Sequence, residues 1–284
     1  MTDRSRSLND ARTTATDDER SVRQGRYLYC VVETTTSDTE TLSAAGIDGN
    51  SVYLIEADGI GAVVHDCEAV YDADDLEQVK QWVITHQQVV DAASDVFGTP
   101  LPMRFDTVLE GGDESVEHWL SDHREVVRDE LHSFTGTWEY RITMMWDPSP
   151  FETRITEQDN RLQELQQRQQ QAGAGKQFLL EKQYDKRLQE LKQDQRADLA
   201  ERLTEAITPV VNDLAEQESR HALSGDTHAS AAQEQILRVA VLADEDAETT
   251  LGERLDTIVE RDGVAVRFTG PWPPYTFAPD IGSE

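Results

Sequence analysis

The chain has 284 residues and carries 56 Asp and Glu against 26 Lys and Arg, a formal net charge of −30, with hydrophobic residues at 37%. This balance argues against nucleic-acid binding, which needs a basic face for the phosphates. The two cysteines, Cys30 and Cys67, are too few for a disulfide framework.

The mean hydropathy is −0.61, and no apolar run approaches the ~18 residues of a membrane span. Residues up to Gly25 lack an apolar stretch of signal-peptide length. A reduced, cytoplasmic protein with no lipid membrane as partner is expected.

The acids are spread along the whole chain, and only Lys80, Lys176, Lys182, Lys186 and Lys192 are lysines. Such a surface repels itself at low salt. At molar salt the Debye length falls to about 3 Å and the repulsion is screened. The composition therefore points to a salt-loving cell interior, and the fold is expected to need salt. Circular dichroism across a dilution from molar to millimolar salt should show falling secondary structure and melting temperature; no change in either would refute this.

In chain order, residues 1–25 are rich in Arg, Asp, Ser and Thr and read as a disordered tail. Order is expected to begin at Arg26, where Tyr27-Leu28-Tyr29-Cys30-Val31-Val32 has the β-branched and aromatic character of a buried strand. The pattern then predicts a short helix over 39–45, strands over 52–55 and 61–64 joined by an Asp58-Gly59 turn, and a helix over 74–96. In that helix Leu76, Val79, Val83, His86, Val90 and Ala93 recur every three or four residues. A strand is expected over 101–109, then a helix from Asp113 with Val116, Leu120, Val127 and Leu131 on one side.

The plan then repeats. A strand is predicted over 137–146, a long helical region over 151–216, a weak strand over 219–223, a strong one over 235–242, a helix over 247–261 and a last strand over 264–268. The order β-α-β-β-α-β in each half is the ferredoxin-like, split βαβ plan. The expected class is α+β: two ferredoxin-like units in tandem, with domains at 26–135 and 136–284.

Within the long helical region, Ala172-Gly173-Ala174-Gly175 should interrupt the helix, at about 1 kcal/mol per glycine. A second helix is expected to restart near Lys176. Tyr184, Leu188 and Leu191 share one face, as do Leu199, Leu203, Ile207, Val210 and Leu214, with Pro209 as a potential kink. Two readings stay open here: a helix packed on its own sheet, or one that extends past the domain to bind a partner.

The chain offers little catalytic chemistry. Gly59-Ile60-Gly61 lacks the third glycine and following helix of a dinucleotide fingerprint, and no P-loop or GxSxG elbow is present. His118, Asp122 and His123 lack the HExxH spacing of a zinc site. His65 and Cys67 share one strand face, but a metal would need two further ligands. His86 reads as a satisfied core or boundary histidine.

Backbone-restricted, aromatic segments stand out instead. In Leu101-Pro102-Met103-Arg104-Phe105 a strand would put Leu101, Met103 and Phe105 on one face and Arg104 on the other. In Gly270-Pro271-Trp272-Pro273-Pro274-Tyr275-Thr276-Phe277, three prolines exclude a central strand, while Trp272, Tyr275 and Phe277 carry apolar faces that need burial. That segment either clamps the chain end onto its own sheet or docks on a partner. Arg104, Phe105, Trp272, Tyr275 and Phe277 are the candidate structural or interaction residues.

Taken in order, the Tyr27–Val32 strand, His86, Leu101-Pro102-Met103-Arg104-Phe105-Asp106-Thr107-Val108, Trp138-Glu139-Tyr140-Arg141-Ile142, Gly175-Lys176-Gln177-Phe178-Leu179 and the closing Gly270–Phe277 resemble the GvpL/GvpF family of gas vesicle proteins. The ordered set spans residues 26–277, and the closing segment is its most specific part. One departure is Asp106, where the family often has glycine. The extra N-terminal stretch, the length and the acidic composition are most similar to the longer, L-type branch in salt-loving archaea.

The resemblance implies a cytoplasmic, gas-vesicle-associated assembly protein or minor shell component. It would contact the main shell protein and other accessory gas vesicle proteins, and no cofactor or catalytic residue comes with it. A small-molecule enzyme on a ferredoxin-like scaffold is the alternative, since that fold hosts many functions.

Overall fold

A computed structural model describes residues 21–34, 42–73, 75–217 and 233–281. The chain divides into two compact units. Of the described residues, one unit takes those from 21 to 97, Met103–Arg128 and Ile281; the other takes Gly98–Pro102 and those from 129 to 280.

The first sheet is antiparallel and contains β1 (Ser21–Glu33), β2 (Tyr53–Ala57), β3 (Ile60–Ala69), β4 (Leu101–Pro102) and β5 (Val108–Glu110). Its order is β2-β3-β1-β4, with β5 also paired to β1. Strand β1 starts at Ser21, so residues 21–25 are strand where the composition suggested tail; Ser21 pairs with Ala69 and Gly25 with Cys67. The rest of that stretch, 1–20, lies outside the described residues. From Arg26 to Val32 every residue is buried, as a central strand covered on both faces requires. The turn Asp58-Gly59 has φ of 54° and 84°. That double left-handed conformation suits a two-residue hairpin loop and the twist of its flanking strands.

Helix α1 (Leu76–Phe97) packs on β1. It buries Trp82, His86, Val89, Val90 and Ala93, so the buried face is rotated from the Leu76–Val79–Val83 line that the periodicity gave. Leu76 is 79% exposed. Trp82 takes its place on that face, its indole Nε1 donating to Asp48 Oδ1 at 2.8 Å.

Three further expectations fail between residues 42 and 134. Residues 42–45 are not helical, and a single 3-10 turn at Ile47–Gly49 occupies the connection instead; residues 39–41 lie outside the described residues. The strand expected over 101–109 is broken into β4 and β5 by a turn whose Asp106 has φ of 66°. Met103 and Phe105 are therefore not on one strand face. Helices α2 (Asp113–Asp122) and α3 (Arg124–Phe134) replace the single helix predicted from Asp113, and Val116, Leu120, Val127 and Leu131 are all buried.

The second sheet contains β6 (Thr137–Trp146), β7 (Asp213–Glu216), β8 (Glu234–Asp244) and β9 (Val264–Trp272), in the order β7-β8-β6-β9. Alternate residues of β6 (Tyr140, Ile142, Met144 and Trp146) face the core, where they meet Val239, Val241 and Ala243 of β8. Over them lie the C-terminal half of α6 (Ala174–Ile207), through Leu199, Leu203 and Ile207, and α7 (Glu248–Val259), through Leu251, Leu255 and Ile258.

The long helical region resolves into α4 (Ser149–Gln158), α5 (Asn160–Gln170) and α6, broken at Asp159 and at 171–173. Asp159 caps α5, its carboxylate accepting from Leu162 N at 2.8 Å, which satisfies one of the helix's orphan donors. Helix α6 ends at Ile207 and Pro209 sits in the 3-10 turn beyond it, so this proline ends the helix and does not kink it. Leu214 belongs to β7, not to a helix. The second strand of this unit is thus 213–216; the predicted one at 219–223 lies outside the described residues.

Candidate functional site

The turn that breaks the predicted strand is held by a buried network of tyrosine and histidine in the first unit. His86 Nε2 lies 3.2 Å from the Met103 carbonyl, which can only accept, so Nε2 carries the proton. Nδ1 then accepts from Tyr27 OH at 2.9 Å, and the same phenol oxygen accepts from the Asp106 N–H at 3.0 Å. Asp106 Oδ1 accepts from Tyr71 N at 2.7 Å. A short polar residue tolerates the left-handed backbone, so Asp106 adopts the conformation that a glycine would allow and gains a carboxylate anchor.

The rings are packed together. Tyr27 stacks on His65 with centroids 5.0 Å apart and lies edge-on to His86 at 5.7 Å and to Phe105 at 6.3 Å. His65 Nε2 is 2.9 Å from Tyr71 OH, while its buried Nδ1 has no partner among the described residues. Burial pushes both imidazoles down, to about 4 each, and pushes the phenols of Tyr27 and Tyr29 up. Cys67 is raised to about 11 and Cys30 is also raised, again by burial. At neutral pH all of these groups are held neutral. Both thiols are free and buried as thiols, not as reactive thiolates.

Arg104 and Phe105 therefore part company. Phe105 is half-buried against Tyr27 and His86, whereas Arg104 is exposed. The Arg104 carbonyl accepts from Thr107 Oγ1 at 2.7 Å. Sequence reasoning singled out His86, but it missed Tyr27, Tyr29, His65 and Tyr71 as one network. The available signal was two polar rings, His65 and His86, at otherwise apolar positions of a strand and a helix.

In the second unit, Trp272, Tyr275 and Phe277 fall in one segment, and a buried carboxylate fastens it. Glu139 on β6 is fully buried. Its Oε1 accepts from Arg141 Nε at 2.8 Å, and its Oε2 accepts from the Thr276 N–H at 2.6 Å. Trp272 lies opposite Glu139 on the edge strand β9, where a Pro271 within the strand leaves no central ladder short of a donor. Gly270, at φ 142°, passes so close to β6 that a Cβ would stand 2.7 Å from Tyr140 Cδ1 and 2.9 Å from the Glu139 carbonyl. Pro273 and Pro274 are buried, and Ala278 N donates to the Pro274 carbonyl at 2.8 Å. Gln217 Nε2 reaches Thr276 Oγ1 at 3.3 Å. The segment is folded back onto its own sheet. Trp272, Tyr275 and Phe277 are each half-buried there.

Among the described residues no group of His, Cys, Asp or Glu is arranged to hold a metal, and no helix is long and apolar enough to cross a membrane.

Comparison with known proteins gives a consistent result. The family model described as gas vesicle synthesis protein GvpL/GvpF matches residues 25–279. The chain is 67% identical to gas vesicle protein L1 of Halobacterium salinarum over 99% of its length and 100% of that protein. It is 56% identical to gas vesicle protein L of Haloferax mediterranei, covering 93% of the chain and 91% of that protein. The crystal structure of gas vesicle protein GvpF from an Anabaena species is similar in fold, with a TM-score of 0.67 at 18% identity over 90% of this chain and 99% of that one.

Proposed function

The chain belongs to the GvpL/GvpF family of gas vesicle proteins, and from that premise we propose that it is a gas vesicle assembly protein or minor shell component. It would work in the cytoplasm and at the vesicle, binding the main shell protein and other accessory gas vesicle proteins. The observation that carries this reading is the 67% identity, along the whole of both chains, to a protein named for the gas vesicle. In both candidate segments polar side chains fix backbone, Tyr27 at the Asp106 turn and Glu139 at Thr276, as a structural role would use them.

We also read the two units as split βαβ arrangements in tandem. The second supports this through its β7-β8-β6-β9 order with α4–α6 between β6 and β7. The first repeats the strand order, but only a 3-10 turn is described between β1 and β2.

Deleting the gene is expected to abolish or severely reduce gas vesicles with no metabolic defect. Electron microscopy of the deletion strain beside a complemented control measures this. Abundant normal vesicles in the deletion strain would overturn the assembly role.

A further inference from the structure

The charge of this chain is not uniform. Residues 160–193, which make up α5, the tip and the first part of α6, hold seven Lys and Arg against four Asp and Glu. The remaining 250 residues hold 19 against 52. Four of the five lysines, Lys176, Lys182, Lys186 and Lys192, are in this stretch. A net charge of +3 on 34 residues therefore stands beside −33 on the rest; Arg187 and Lys192 are paired with Asp159 and Glu152 of the rest, which leaves this stretch an excess of one cation.

The same stretch forms a helical arm of the second unit. Helix α5 packs on α4 and α6, burying Leu162, Leu165 and Leu180. Its base is tied by Arg187 to Asp159 at 2.8 Å and by Lys192 to Glu152 at 2.5 Å. Helix α6 joins the core of its unit only from Leu191 onward. At 1.5 Å per residue the preceding part of α6, residues 174–190, is about 25 Å long, and it meets α4 only near its base, where Tyr184 OH lies 3.2 Å from Thr156 Oγ1.

Near the tip, Phe178 is 58% and Leu179 60% exposed. Lys182 Nζ stands 5.8 Å over the Phe178 ring. Phe178, Leu179, Lys182 and Lys186 recur at three- and four-residue spacings, so they share one helix face.

We infer that this arm is a docking element for an acidic protein surface that carries an apolar seat, other than a second copy of this chain; the inference rests on the assembly role proposed above. Two adjacent exposed apolar side chains call for an apolar seat, which a nucleic-acid backbone lacks. The flanking lysines call for carboxylates around that seat, in the manner of a polar rim about an anchor. At molar salt only charges in near contact are felt, so the arm alone can approach an acidic surface without repulsion while the −33 remainder is held away. A second copy fits poorly. Among the described residues, its other exposed large apolar side chains are Leu76, Ile84, Val126 and Val259, and none of these is adjacent to another in sequence.

The test places a photo-cross-linking benzoylphenylalanine at position 178 of the full chain, expressed in vesicle-forming cells at native salt, and identifies the product by mass spectrometry. An acidic protein of different sequence is expected, and Lys176→Glu/Lys182→Glu/Lys186→Glu should lower its yield at least ten-fold. A product with a second copy, with a protein that is not acidic or with nuclease-sensitive material, no product, or an undiminished yield in the charge-reversed variant would each overturn the inference. In parallel, Phe178→Ser/Leu179→Ser should keep the parent circular dichroism and melting temperature, yet restore fewer than one tenth of the vesicles that the parent restores to the deletion strain. Full restoration by that variant would sink the arm alone, whereas normal vesicles in the uncomplemented strain would sink the assembly role and leave the cross-link to decide the arm.

Discussion

Lowering the pH from 6.5 to 4 at molar salt should melt this protein 10 °C or more earlier. His65 and His86 are buried and stay neutral in the fold down to about pH 4, while in the unfolded chain an imidazole takes up its proton near pH 6.5. Between those values the unfolded state binds more protons, so stability falls as pH falls and is flat above the window. Each imidazole contributes up to ~3 kcal/mol across it, and a chain of this size loses roughly 2–4 °C per kcal/mol. The geometry says why the cation is refused. A proton on His86 Nδ1 would face the Tyr27 O–H that now donates to it, and a charged His65 would bury an N–H with no acceptor among the described residues. The carboxyls of Asp91 and Asp106, raised by burial, partly oppose the trend because they take up protons earlier in the fold. His86→Gln isolates the histidine contribution: less stable than the parent at pH 7, it should lose clearly less stability between pH 6.5 and 4. Parallel curves for parent and variant would refute the assignment.

That network also marks where the sequence could and could not be read. Strands β6 and β8 were legible to within two residues, β6 from its alternation and β8 from an aliphatic run that is buried on both faces from Val239 to Ala243. The break at 171–173 was legible from Gly173, whereas the end of α6 at Ile207 was read only as a potential kink at Pro209 within a longer helix. The strand over 101–109 was misread because the deciding feature is a tertiary bond, Asp106 N–H to Tyr27 OH across 79 positions, and no local pattern encodes it. The face of α1 was misread for a related reason. Periodicity gave a stripe, but Trp82 seats itself through Asp48, 34 positions away. Strand β7 was hidden because Leu214 continued the spacing of Leu199, Leu203 and Ile207, although the proline had already ended the helix. Of the candidate residues, Trp272, Tyr275 and Phe277 were found because prolines and large rings stand out in an acidic chain. Glu139, which fastens their segment, was hidden among 56 acids.

Glu139 is the residue on which the clamp reading of that segment turns. Its carboxylate is fully buried and bridges Arg141 to the Thr276 N–H. Glu139→Ala would leave a half-buried guanidinium and a backbone donor without their acceptor, a loss of about 3 kcal/mol. The expected result is a melting temperature lowered by roughly 6–10 °C, with new protease cleavage within 273–280. Glu139→Gln keeps an amide oxygen for Thr276 but loses the charge on Arg141, so it should fall between parent and alanine. Trp272 separates the two readings of the aromatic side chains. Its indole N–H is buried with no acceptor among the described residues, so Trp272→Phe removes an orphan donor along with some apolar area and should be nearly neutral. Trp272→Ala removes the whole ring and should cost about 2 kcal/mol. If the chain clamps itself, partner loss in Trp272→Ala will track the loss of stability. If instead Trp272→Ala melts like the parent yet no longer co-purifies with other vesicle proteins, the clamp is wrong: Glu139 then holds a docking segment in place, and Trp272 is its anchor.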